Sequence, residues 1–70
     1  MSFKPIFIFP TGERGRNGQA FETFEEARRS AERRFMVWTY PTGFDVEESP
    51  EPVNYRFDAE RGDVLLGAAS

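Results

Sequence analysis

The absence of both cysteine and histidine constrains this chain more than any residue it contains. Small domains bury too little surface to be stable unaided, and the usual aid is a disulfide, a metal or an oligomeric interface. Disulfides are impossible here, and a structural zinc site lacks its customary thiolate and imidazole ligands. Stability must therefore come from dense packing or from self-association. Eight Phe, two Tyr and one Trp among 70 residues supply the material for packing, since each ring buries a large apolar area. A chain this short makes one domain, residues 1–70.

Residues 2–9 read as a strand closed by Pro10, because aromatic and β-branched residues dominate. Phe3, Pro5, Phe7 and Phe9 fall on one face, and Lys4, Ile6 and Ile8 on the other. Both faces are thus largely apolar, so the strand is either central or turns one face to another molecule. Pro5 cannot donate to a ladder, which directs its position to an unpaired edge or the strand start. Residues 11–19 read as a loop with Gly12, Gly15 and Gly18 at three-residue spacing and Asn17-Gly18 as the turn signal. If residues 19–22 extend, the segment becomes an irregular hairpin back onto the first strand.

Thr23-Phe24-Glu25-Glu26 is a capping box, in which the Thr23 hydroxyl accepts from the Glu26 amide and the Glu26 carboxylate reaches back. Phe24, Ala27, Ala31, Phe35 and Trp38 then recur at offsets of 3, 4, 4 and 3, one face of a helix. Pro41 and Gly43 stop it near Tyr40, or earlier, because Val37, Trp38, Thr39 and Tyr40 favour extended backbone. Residues 44–48 and 53–58 alternate apolar and polar, and residues 63–66 supply a last short strand. Residues 67–70 are expected to fray. The expected fold is α+β: one helix on one face of a mostly antiparallel sheet of three to five strands, in the order β-(β)-α-β-β-β.

The net charge of −3 is unevenly spread: residues 1–42 carry +2 and residues 43–70 carry −5. The acidic set comprises Asp45, Glu47, Glu48, Glu51, Asp58, Glu60 and Asp63. If the C-terminal strands pair as a meander, these carboxylates share one outer face and its rim. Such a surface repels nucleic acid and can occupy a protein's nucleic-acid groove, although any soluble domain also needs charge on its exposed sheet face. An acidic chain is a poor general binder of phosphate backbones.

Other features carry weaker chemistry. Gly12 to Gly18, with Arg14 and Arg16, could wrap an anion, yet it lacks the P-loop ending and the dinucleotide spacing. Arg28, Arg29, Arg33 and Arg34 spread around more than half a helix and are flanked by glutamates, as a solvated face would be. Trp38, Tyr40 and Phe44 around Pro41 form either a binding patch or the edge of the core. Carboxylates with no histidine, cysteine or metal triad, on a chain too short to form a cleft between them, name no reaction. No enzyme activity and no cofactor is expected. The apolar stretch at residues 6–9 is too short for a signal peptide or a membrane span, so the expected location is the cytoplasm of a bacterial cell, without membrane contact.

In size and style, a tiny acidic α+β chain without cysteine or histidine resembles accessory proteins of bacteriophages and mobile elements. Some of those inhibit host defence complexes, the anti-CRISPR and DNA-mimic proteins among them. The resemblance implies a protein-binding inhibitor and carries over no site residue. The −5 charge of residues 43–70 and the lack of catalytic groups make the acidic set the expected contact surface for a host nucleic-acid-handling protein, without direct nucleic-acid binding. Two other readings remain open. One is an assembly protein that forms a homodimer through the Ile6/Ile8 face of its first strand. The other is a nucleic-acid-binding module using Arg14, Arg16 and the helix arginines.

Overall fold

A computed structural model describes residues 1–66; the expected frayed tail, residues 67–70, lies outside the described residues. Strands β1 (Ser2–Ile8) and β2 (Arg14–Arg16) precede helix α1 (Phe24–Val37), which is followed by β3 (Gly43–Ser49), β4 (Tyr55–Asp58) and β5 (Gly62–Leu65). The expected α+β order is therefore present. A three-stranded antiparallel sheet runs β2-β1-β3, and β4-β5 form a separate two-stranded hairpin. The C-terminal strands do not make a meander, because β3 pairs with β1 along its whole length and never with β4.

β1 is central, which accounts for its two apolar faces. Its Pro5 sits where the missing N–H does no harm. Phe3 and Phe9 direct their amides toward the β2 side, to Phe21 and Glu13, and alternation points the Pro5 position the same way. The β1–β2 ladder stops at Ile6↔Arg16, so Pro5 falls in the gap between that ladder and the Phe3↔Phe21 bridge.

The second strand lies at residues 14–16 and not at residues 19–22. The turn forms at Pro10–Gly12, where the Gly12 amide donates to the Phe9 carbonyl at 2.8 Å and Gly12 has φ +89°. A left-handed conformation of this kind favours glycine. Gly15, which suggests a loop in the sequence, is a strand residue because the Phe9 ring lies over it. A Cβ there would stand 2.5 Å from Phe9 Cε2. Within residues 19–22 only Phe21 is extended-paired, and it bridges both sheets, antiparallel to Phe3 and parallel to Tyr55.

Phe21 is fully buried. Around it, Asn54 fastens the hairpin to the main sheet: its Oδ1 accepts from the Ala20 amide at 2.7 Å and its Nδ2 donates to the Gly18 carbonyl at 2.8 Å. The Asn54 and Tyr55 amides both donate to the Ala20 carbonyl.

Helix α1 begins as expected, with the Glu26 amide donating to Thr23 Oγ1 at 3.1 Å and the Thr23 hydroxyl donating to Glu26 Oε1. The second Glu26 oxygen accepts from the Phe57 amide, tying the helix start to β4. The helix crosses β1 and β3 on the aromatic face of the sheet. Phe24 packs edge-on to Phe3, Phe35 lies 5.3 Å from Phe44, and Trp38 stands edge-on to Phe7 and Phe9. Ala27 and Ala31 are fully buried between them, since small residues let the helix axis approach the sheet. The helix ends at Val37, with extended Trp38 as its C-cap. The strand-forming residues after Val37 thus unwind the last turn before Pro41 is reached.

Candidate functional site

The register fixes what the face of the sheet away from α1 carries. Ile6 lies between Arg16 and Asp45, Ile8 between Arg14 and Gly43, and Lys4 beside Glu47. The arginines of β2 reach diagonally over the central strand to the carboxylates of β3. Arg14 Nη2 is 3.2 Å from Asp45 Oδ2, and Arg16 grips Glu47 with Nε on one oxygen and Nη2 on the other, the latter at 2.9 Å. At the far end Lys4 Nζ donates to both Glu51 oxygens at 3.1 Å. Three cations thus meet three carboxylates, and Ile6 is buried beneath the two guanidinium bridges. The two-pronged hydrogen bond from Arg16 holds the Glu47 carboxyl below its ordinary range and raises the Arg16 guanidinium in return.

This arrangement changes the standing of the acidic set. Asp45, Glu47 and Glu51 lie on a face that is charge-balanced by the chain's own cations. Glu48 projects on the helix side, opposite Phe3 in the register. Asp58, Glu60 and Asp63 belong to the separate hairpin. Asp58 accepts from the Glu60 and Arg61 amides, which lower its pKa and shape the turn into Gly62. Asp63 accepts from Gln19 Nε2 at 2.7 Å and faces Arg34 at 3.6 Å. The seven carboxylates therefore do not share one outer face. Among the described residues, only Glu48 and Glu60 of the set make no ion pair.

The other surfaces named by the sequence also resolve. On the Ile6/Ile8 face, Ile6 is 2% exposed under the ion pairs and Ile8 is partly exposed. The side chains of Arg14 and Arg16 turn to the β3 carboxylates on the face opposite α1, while Arg16 and the helix residue Arg34 line one crevice. Sequence reasoning misses the cation partners of Asp45 and Glu47. Their signal is the matching two-residue spacing of Arg14/Arg16 and Asp45/Glu47, which becomes meaningful once both strands flank the same neighbour.

The aromatic corner is divided between core and surface. Trp38 and Tyr40 pack on Phe9, with ring centroids 5.6 and 5.3 Å away, yet they remain 38% and 57% exposed. Met36 and Val37 beside them are almost fully exposed. A crevice of about 160 Å³ opens between Phe7, Phe9, Trp38 and Arg34. Phe44 is half-buried against Phe35 and belongs to the core.

Among the described residues, no group of three or more carboxylates is placed to hold a metal ion. No described helix is long and apolar enough to cross a membrane. Comparisons with protein-family models, curated proteins and solved structures gave no match to this chain.

Proposed function

We propose that this chain is a non-catalytic protein-binding module, of the phage- or mobile-element inhibitor type, that docks through the aromatic end of its helix. The observation that carries the reading is the exposure of Met36, Val37, Trp38 and Tyr40 within five consecutive positions, beside a crevice lined by Phe7 and Phe9. Contiguous exposed apolar surface on a small protein marks an interaction site. Trp, Tyr and Met are also enriched where binding energy concentrates. The crevice is of a size to receive one apolar side chain of a partner.

The partner class is a basic, nucleic-acid-handling host protein. The net charge of −3 supports this assignment, because long-range complementarity speeds encounter with a positive surface and disfavours nucleic acid itself. Glu48 and Glu60 are the acidic-set members free to act at that range. The paired carboxylates Asp45, Glu47 and Glu51 are less suited to mimic phosphates, since binding through them would first break their own ion pairs.

The test is capture of partners from nuclease-treated bacterial lysate by the wild-type chain and three variants, with folding checked by circular dichroism. The triple change Met36→Glu, Val37→Glu and Tyr40→Glu is expected to abolish capture. Glu48→Lys with Glu60→Lys is expected to weaken it mainly at low salt. Unchanged capture by the first variant, with loss in Asp45→Lys and Glu47→Lys, would move the contact surface to the acidic sheet face.

A further inference from the structure

On the side of α1 that faces the β4–β5 hairpin, a cleft of about 400 Å³ is lined by three arginines, Arg33, Arg34 and Arg61, around Gly62, with the Arg33 guanidinium beside Gly62 and that of Arg34 on Asp63. Asp63 is the one carboxylate lining it, which leaves a surplus of two positive charges in one concavity. Arg33 and Arg61 form no ion pair among the described residues, and Arg34 meets Asp63 at 3.6 Å. Like charges held together in this way repel one another unless an anion joins them.

A second, independent observation points into the same place. Ser30, at the floor of the cleft, is 2% exposed, and its hydroxyl is a buried polar side-chain atom with no hydrogen-bond partner. Buried hydroxyls are ordinarily satisfied, so this donor is waiting for an acceptor the chain does not provide.

The backbone is shaped to keep the cleft open and charged. Gly62 has φ +84°, and a Cβ there would lie 2.8 Å from Arg33 Nη1. The glycine therefore lets the Arg33 guanidinium lie across the hairpin turn. Asp63 has a second partner in Gln19 Nε2 at 2.7 Å, so it stays satisfied when Arg34 turns to another anion.

We infer that this cleft is a phosphate-binding site. The surplus charge matches a phosphate monoester, which carries about −1.5 to −2 at neutral pH and offers three strong acceptor oxygens. Guanidinium forks suit those oxygens in two-pronged contacts. The Ser30 hydroxyl donates to one oxygen at the floor, and Val37 at the rim offers apolar contact to whatever the phosphate is attached to. The site adjoins the aromatic end assigned to protein binding, with Arg34 and Val37 at the border of the two, but neither reading depends on the other.

The experiment is amide-resolved NMR titration of the intact chain with inorganic phosphate and, separately, with adenosine monophosphate, each against sodium chloride at matched ionic strength. Saturable shifts are expected at Ser30, Arg33, Arg61 and Gly62, and not at Arg28 or Arg29 on the outer face of the helix. Arg61→Gln, an exposed change that leaves the fold intact, and Arg33→Gln are each expected to weaken binding by about tenfold. Ser30→Ala is expected to weaken binding without lowering the melting temperature, since the hydroxyl has no protein partner to lose. Tighter binding of the ester identifies an organic phosphate as the ligand, whereas equal affinity identifies free phosphate. Shifts that match those in sodium chloride, or wild-type affinity in both arginine variants, would overturn the assignment.

Discussion

At the scale of single residues, a glycine and a carboxylate take their roles from neighbours that only the fold supplies. Gly15 supports the Phe9 ring, and a Cβ at that position would stand 2.5 Å from the ring edge, which leaves no room for any side chain. Gly15→Ala should displace Phe9, and with it Trp38 and Tyr40, costing about 1–3 kcal/mol as overpacking does. Chemical denaturation of the variant measures the loss, and tryptophan fluorescence reports whether Trp38 moves. Glu47 has its pKa lowered from 4.5, chiefly by the hydrogen bond from Arg16. A carboxylate whose folded value lies below its unfolded one stabilises the fold above the unfolded value, and that contribution disappears as pH falls through the folded value. Stability of the wild-type chain should therefore decline below about pH 4.5, and Glu47→Gln should flatten part of that decline. Arg16 is exposed and Glu47 partly exposed, so high salt should shrink the difference as well. Melting curves of the two proteins between pH 3 and pH 7, roughly the span over which carboxylates titrate, check the sign.

At the scale of elements, legibility follows the range of the interactions that decide each element. Helix α1 is readable because its signals are local: the Thr23 cap, the Glu26 box and the 3-and-4 spacing of its apolar face all act within a turn or two. Removing the cap by Thr23→Ala should cost about 1 kcal/mol in thermal or chemical denaturation. β1 is readable from its composition, but its place at the centre of the sheet is not, since that depends on which strands flank it. β2 escapes the sequence because Gly15 and the flanking arginines look like a loop until Phe9 is seen above them. Residues 19–22 suggest a strand only as the return of a hairpin after Asn17-Gly18, yet within them only Phe21 pairs, at a single junction between the sheets. The acidic set is visible as a charge imbalance, but sheet order decides its distribution. A meander would have collected the carboxylates; pairing β3 with β1 instead sets three of them against Lys4, Arg14 and Arg16. The cleft above Ser30 is equally invisible, since it arises only when the hairpin folds back along the helix.

At the scale of the whole molecule, the main sheet with its helix and the β4–β5 hairpin meet through few fastenings. Phe21 fills the junction, Asn54 bonds both to the Ala20 amide and to the Gly18 carbonyl, and Glu26 holds the Phe57 amide. Elements joined by few contacts can open separately from the rest, at a free energy below that of global unfolding. The two kinds of fastening should fail differently. Phe21→Ala removes a fully buried ring shared by both parts, and the expected loss of about 3–5 kcal/mol approaches the entire stability of a domain this small. That variant should lose protection from hydrogen exchange throughout. Asn54→Ala removes only polar links and leaves the Ala20 amide without its acceptor, a loss of about 1–3 kcal/mol. Its effect should be confined: amides of β4 and β5 exchange faster, while those of β1 and β3 keep their wild-type protection. Because the cleft around Ser30 needs the hairpin in place, Asn54→Ala should also weaken phosphate binding while sparing capture of a protein partner at the Trp38 end. Uniform loss of protection in Asn54→Ala would instead show that the chain unfolds as one cooperative unit, with hairpin and sheet inseparable.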